Sequence, residues 1–198
     1  MKFLLLNGGG LDSLAVAKLT RQQYPDAVIE SIHFRCGHDS EEKLAAGARA
    51  IADAYCTTHD EYFLAKSKDG QLVPGGDMTV TLKNNFVGVP FWGAWLLVNG
   101  FVFATRRKAD VLLTGIWADG YRPEILTWID KLLHSSLITP FNVIHEAPLY
   151  GVDRALIHYI VEDDPVLDKT WSCNSSIPCR NCRKCQFRKD FNLPNSGA

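Results

Sequence analysis

Apolar positions along the chain switch repeatedly between two periods. Phe3-Leu4-Leu5-Leu6 is an unbroken apolar run stopped by Asn7 and three glycines, which predicts a short buried strand. Leu11, Leu14, Ala15, Val16 and Leu19 then recur at helical spacing and predict a helix ending near Tyr24-Pro25. Residues 27–34 alternate and are β-branched, a second strand. Ser40 is placed to cap a helix with Leu44, Ala48, Ile51 and Ala52 on one face, and Glu41 and Glu42 suit the positive end of its dipole. Residues 61–64 predict a third strand. Residues 65–89 are polar and glycine-rich, and predict a lid-like or binding loop. A helix over 90–105, a strand over 111–115, a helix from Pro123 to about Leu133, a strand over 142–146 and a helix over 152–161 follow. Such alternation predicts an α/β fold, a parallel sheet with helices on both faces. The last thirty or so residues carry no apolar period, so the chain divides into an α/β domain over 1–165 and a cysteine-rich segment over 166–198.

Composition narrows the class. The chain has 198 residues, 46% apolar and 22% charged, which is globular rather than disordered. Its 21 Lys+Arg against 22 Asp+Glu leave a net charge of −1, which argues against a protein built to coat nucleic acid or an anionic membrane. The apolar stretch Phe86–Ala104 approaches the length of a membrane span, but Pro90 shortens any helix in it to about 16 residues. The expectation is a helix buried in the core, with no membrane span, and with an apolar face that suits a homodimer. The opening residues are too short in apolar character for a signal peptide, so a cytoplasmic setting is expected.

Two motifs carry chemistry. Gly8-Gly9-Gly10-Leu11-Asp12-Ser13 lies between the first strand and the first helix, where a parallel sheet opens its ligand crevice. Glycines there let backbone approach an anion, and the next helix directs unpaired N–H groups and its positive end at the same point. Ser13 can donate a hydroxyl to phosphate, and Asp12 can hold Mg²⁺ or brace the loop. The run is neither a Walker A loop nor a GxGxxG fingerprint. A plain strand-to-helix turn is the alternative reading.

The second motif is Cys173-x5-Cys179-x2-Cys182-x2-Cys185. Four thiolates at that spacing can close a tetrahedron around Zn²⁺, and a closed four-sulfur site is structural. An iron–sulfur cluster is the main rival, and a redox dithiol a lesser one. Arg180, Arg183, Lys184, Arg188 and Lys189 surround the cysteines. They neutralise a dianionic centre or, in the alternative reading, contact nucleic acid. Trp117, Asp119, Tyr121, Arg122 and Glu124 follow the fourth predicted core strand, where aromatics can stack on a planar ligand and carboxylates accept from ring N–H groups. Cys36 beside Gly37 and His38 ends the second strand, and reads as a small buried hydrophobe more readily than as a nucleophile.

Together these motifs resemble the 7-cyano-7-deazaguanine synthases, a QueC-like family of PP-loop ATP pyrophosphatases. The family loop SGGxDS stands here as Gly8-Gly9-Gly10-Leu11-Asp12-Ser13. Its TWSC box and PCGxCxxC stand as Thr170-Trp171-Ser172-Cys173 and Pro178-Cys179-Arg180-Asn181-Cys182-Arg183-Lys184-Cys185. Gly115 with Tyr121-Arg122-Pro123-Glu124 is similar to its GxN…RPEF segment. The resemblance implies the PP-loop fold and the cofactors ATP, Mg²⁺ and Zn²⁺. It implies catalytic roles for Asp12 and Ser13, and a nucleotide site of Gly8 to Ser13 with Phe34 and Gly37. It further implies a substrate site of Trp117, Asp119, Tyr121, Arg122 and Glu124, and Cys173, Cys179, Cys182 and Cys185 as zinc ligands. The implied substrates are 7-carboxy-7-deazaguanine and ammonia, joined through an acyl-adenylate to an amide and then a nitrile. The chain departs from the pattern in the crevice: Gly8 stands for the first Ser of the loop, and Pro90-Phe91-Trp92-Gly93 for PGRN.

Overall fold

The computed structural model describes residues 1–35, 39–63, 80–82, 86–88, 92–116, 127, 131 and 143–194. Five parallel strands form the sheet: β1 (Lys2–Leu6), β2 (Val28–Arg35), β3 (Thr58–Phe63), β6 (Val111–Thr114) and β7 (Ile144–Glu146). Their order is β3-β2-β1-β6-β7. The chain therefore moves outward from β1 to β3, then returns to the other side of β1. That reversal between β1 and β6 is where a doubly wound sheet opens a crevice at its carboxyl edge.

Helices α1 (Leu11–Gln23), α2 (Glu41–Tyr55), α3 (Trp92–Arg106) and α4 (Arg154–Val161) cover the sheet. The period of two along β1 decides which helix meets which residue. Phe3 and Leu5 join α1, α2 and α4 residues such as Leu14, Ile51 and Ile157 in one core. Leu4 faces the other way, onto Leu97, Phe101 and Ala104 of α3. Both faces of the central strands are buried, as a parallel sheet requires. The C-terminal helix α5 (Arg183–Asp190) sends Phe187 into the first of these cores, where Leu193 also lies.

Several expectations shift. Helix α3 is amphipathic in practice: Leu97, Gly100, Phe101 and Ala104 are buried, while Val98 and Val102 are exposed. Strand β3 begins at Thr58 rather than Glu61. Among the described residues it pairs with β2 alone and lies half-exposed, and its first half is polar and carries no apolar signal. Within the expected loop 65–89, Val80–Leu82 and Phe86–Gly88 pair as a two-stranded antiparallel ribbon, β4 and β5. Val80, Thr81, Phe86 and Val87 favour strand, but each run is too short to stand out among polar neighbours. The rest of that loop and the helix expected from Pro123 lie outside the described residues, apart from helical Thr127 and Lys131. Ser40 occupies the position before α2, but its hydroxyl makes no capping bond. Among the described residues, no helix is long and apolar enough to cross a membrane.

Candidate active site

The bend after β1 is held by Asn7 and Ser13. The Asn7 Oδ1 accepts from Gly9 N–H at 3.0 Å, and its Nδ2 donates to Ser31 Oγ at 3.0 Å and to the Ala48 carbonyl at 2.8 Å. Asn7 is buried, so these three bonds satisfy its amide where water cannot. The Ser13 Oγ accepts from Gly8 N–H at 2.9 Å. Its hydroxyl hydrogen remains available to a ligand. Gly9 has φ 73°, and a side chain there would run into the Leu44 carbonyl of α2. Glycine is therefore required by both backbone conformation and space. Gly8 and Gly9 thus spend their N–H groups on the protein itself. Among the described residues, no acceptor meets the N–H groups of Leu11, Asp12 and Ser13 at the start of α1, which leaves them to an anion. The first intrahelical bond is from Leu14 N–H to the Gly10 carbonyl, and no side chain caps the helix.

Asp12 lies in the first turn of α1 and is exposed to solvent, while Leu11 and Ser13 are buried. Dense protein around the Asp12 carboxyl raises its pKa, and the cations Lys184, Arg154 and Arg188 pull it down. A group both open to solvent and crowded by protein sits in a concavity. Gly115, just past β6, leaves room for it: a Cβ there would lie 2.9 Å from Asp12 Cβ. Asp12 and Gly115 thus meet at the reversal point of the sheet, within electrostatic reach of three cations.

The cysteine segment is fastened to this bend. Trp171 N–H donates to the Gly9 carbonyl at 2.9 Å, which turns that oxygen away from the crevice. The Trp171 side chain is buried with Leu44, Cys173 and Cys185, and Lys43 Nζ lies 4.2 Å from its ring centroid. A Cβ on Gly47 would come 2.5 Å from the Gly9 carbonyl oxygen and 3.1 Å from that of Lys169. Arg188 is buried and donates to Thr170 Oγ1 at 2.7 Å, to Ser172 Oγ at 3.0 Å and to the Pro194 carbonyl. Burial lowers its pKa to about 10, against the raising charges of Cys185 and Asp12.

The four sulfur atoms of Cys173, Cys179, Cys182 and Cys185 lie within 4.8 Å of one another. Backbone N–H groups approach them: Ser175 to Cys173 at 3.4 Å, Cys182 to Cys179 at 3.3 Å, and Cys185 to Cys182 at 3.4 Å. Such donors support thiolate charge. Those of Asn181 and Cys182 bring the Cys179 thiol down to about 6. Burial pushes Cys185 up to about 12 and raises Cys182. Among the described residues the ligating groups of this cluster are all cysteines, which suits zinc or another thiophilic metal centre.

Of the residues expected at the nucleotide, Gly8 to Ser13 come together as described. Phe34 lies near the end of β2 with its ring directed toward α3. Its ring is buried in the core against Trp95 and Phe103 of α3, with centroids 6.4 Å and 5.6 Å away. Period-two alternation along β2 sends it to the α3 face. Gly37, Cys36, Trp117, Asp119, Tyr121, Arg122 and Glu124 lie outside the described residues. Sequence reasoning missed Asn7, Gly47 and the inward turn of Arg188. Asn7 directly before the glycines was the available signal, because a buried strand rarely ends in an amide without a use for it.

Comparison with known proteins adds the following. The family model described as queuosine biosynthesis protein QueC matches residues 2–192. No curated protein matches the chain. Among solved structures, the U34-tRNA thiolase NcsA from Methanococcus maripaludis with its [4Fe-4S] cluster is similar, with a TM-score of 0.61 at 18% identity, covering 96% of this chain and 63% of that one. A 4-thiouridine synthetase in complex with RNA and ATP gives 0.52 at 17% identity, covering 96% of this chain and 49% of that one. A predicted subunit of tRNA methyltransferase from Methanocaldococcus jannaschii gives 0.50 at 15%, covering 82% and 75%. The chain thus spans about half to three quarters of these structures, which share its fold.

Proposed function

The chain belongs to the QueC family of queuosine biosynthesis proteins, and from that membership we propose that it is an ATP-dependent carbon–nitrogen ligase making 7-cyano-7-deazaguanine from 7-carboxy-7-deazaguanine and ammonia. The observation that carries the reading is the row of unpaired N–H groups at the start of α1, opening beside Asp12 at the sheet's reversal point.

A carboxylate is a poor electrophile until one oxygen becomes a good leaving group. In the first half, a carboxylate oxygen attacks the α-phosphorus of ATP and pyrophosphate leaves. Ammonia then adds to the acyl carbon, and AMP and a proton depart to give the amide. In the second half, the amide oxygen attacks a second ATP, again releasing pyrophosphate. Loss of AMP and of both nitrogen protons leaves the nitrile. Negative charge grows on the departing pyrophosphate in both halves. The N–H groups of Leu11 to Ser13 and the Ser13 hydroxyl are oriented before the reaction, so they stabilise that charge without reorganising. Lys184 and Arg154, whose charges lower the Asp12 pKa, add positive potential at the same place. Asp12 is suited to hold Mg²⁺, which would screen the triphosphate.

The resident metal in this reading is Zn²⁺. One tetrahedral zinc with bonds of about 2.3 Å spaces its thiolates about 3.8 Å apart, close to the 3.9 Å between Cys179 and Cys185 sulfurs. A four-iron cluster interposes irons and sulfides between its thiolates and needs them farther apart. Held by Cys173, Cys179, Cys182 and Cys185, the ion would be structural, fixing the segment whose Trp171 holds Gly9.

The test is incubation with ATP, Mg²⁺, ammonia and 7-carboxy-7-deazaguanine, read by mass spectrometry and pyrophosphate release. Amide and nitrile masses, each dependent on ATP, are expected. Absence of both products, with pyrophosphate released only upon another carboxylate, would reassign the substrate.

A further inference from the structure

His33 is buried directly behind the phosphate bend, 3% exposed, and the reaction above makes no use of it. Its Nδ1 lies 2.7 Å from the Asn7 carbonyl oxygen, and its Nε2 lies 3.2 Å from Glu41 Oε1. Both partners are acceptors. A neutral imidazole has one N–H and one bare nitrogen, so it can serve only one of them. The second bond needs one more proton, on the ring or on Glu41. The Arg35 guanidinium is 3.7 Å from the same Glu41 oxygen and favours the ionised carboxylate. The surrounding charges are largely paired among themselves: Arg35 with Glu42 and Glu61, and Arg49 with Glu61. On β3, His59 gives its Nδ1 to a hydrogen bond with Ser31 Oγ at 3.0 Å. Glu41, whose Oε1 lies 3.2 Å from Nε2, is the acceptor that the geometry offers for that proton.

The two ends of this contact explain what it does. Asn7 is the residue from which the bend springs, and its side chain holds Gly9 N–H. Drawing the Asn7 carbonyl toward β2 orients the peptide that leads into Gly8. Glu41 is the first residue of α2, whose Leu44 and Gly47 form the wall behind Gly9. A single ring thus spans from the start of the bend to the helix that backs it.

We propose that His33 is an imidazolium that positions the phosphate bend, bridging the Asn7 carbonyl and the Glu41 carboxylate. It touches no substrate; it is a positioning residue. The inference rests on the reading that the bend receives ATP phosphates.

Two measurements on the full chain test it. The first is ¹⁵N NMR of histidine-labelled protein, with His33 assigned from its variants. Both His33 ring nitrogens should carry a proton in the wild type. In Glu41→Gln the new amide can donate to a neutral ring, so one nitrogen should become bare while both contacts survive. The second is calorimetric binding of a non-hydrolysable ATP analogue with Mg²⁺. His33→Phe keeps the volume and removes both donors, and should weaken binding about tenfold. Glu41→Gln, the conservative rescue, should stay within about twofold of the wild type. Glu41→Leu keeps the Asn7 bond but cuts the link to α2, and should cost a few-fold; it covers the case in which His33→Phe does not fold. A neutral wild-type ring overturns the proposal. So does wild-type affinity in both His33→Phe and Glu41→Leu. A wild-type protein that binds no analogue overturns the adenylation reading and this inference with it.

Discussion

Replacing Gly9 by alanine strikes the junction of the bend, α2 and the cysteine segment. Gly9 has φ 73°, so alanine there carries the left-handed penalty, about 1–2 kcal/mol. Its Cβ would also run into the Leu44 carbonyl, and would lie 2.9 Å from the carbonyl carbon and 3.1 Å from Ala48 nitrogen. These are backbone atoms of a packed helix and cannot step aside as a flexible side chain would. Overpacking of this kind costs about 1–3 kcal/mol. The sum, about 2–5 kcal/mol, corresponds to a fall in melting temperature of about 4–20 °C for a chain of this size. Gly8 is the control. A Cβ there meets only Ser13 Oγ, at 3.7 Å, and its φ is not positive. Gly8→Ala should melt within about 2 °C of the wild type and retain binding of an ATP analogue. The assay is scanning calorimetry of the metal-loaded proteins, with analogue binding on the same samples. Equal melting temperatures and equal affinities for Gly8→Ala and Gly9→Ala would refute the close approach of bend and helix.

Further outcomes follow from other parts of the site. Gly8→Ser, which restores the hydroxyl of the family loop, should fold as the wild type and bind the analogue at least as well, checked by the same calorimetry. Cys185→Ser should lose metal on elemental analysis and lower the melting temperature, because metal binding energy is folding energy in such a segment. Metal affinity should fall with acidity: Cys185, at about 12, and the raised Cys182 are protonated at neutral pH, so each must release its proton to the solvent on loading. At least two protons released near pH 7 imply about a hundredfold gain in affinity per pH unit, readable by chelator competition. Arg188→Ala should cost about 2–4 kcal/mol in chemical denaturation, because it strands the buried Thr170 hydroxyl and the half-buried Ser172 hydroxyl.

Some of this was legible in the sequence because the physics was local. An apolar run ending in glycines and followed by a helical period specifies a strand, a bend and a helix in one reading, and β1 and α1 follow it. Four cysteines within thirteen residues announce a shared centre without any long-range information. The roles of single residues were less visible because they depend on register. Phe34 is one residue from the strand's end, yet alternation turns it toward α3. Gly47 reads as a poor helix residue until Gly9 is found resting against it. Arg188 reads as one of several surface cations, but helical rotation carries it inward beneath Thr170 and Ser172. The first half of β3 could not be read, because an edge strand with half-exposed faces lacks the apolar alternation that marks strands.

The account's central claim is that the start of α1 receives the triphosphate. A crystal structure grown with a non-hydrolysable ATP analogue and Mg²⁺ measures this directly. The claim predicts phosphate oxygens within hydrogen-bond distance of the N–H groups of Leu11, Asp12 and Ser13, with the Gly9 carbonyl still bonded to Trp171. Nucleotide bound at another edge of the sheet, with those N–H groups left facing water, would contradict it.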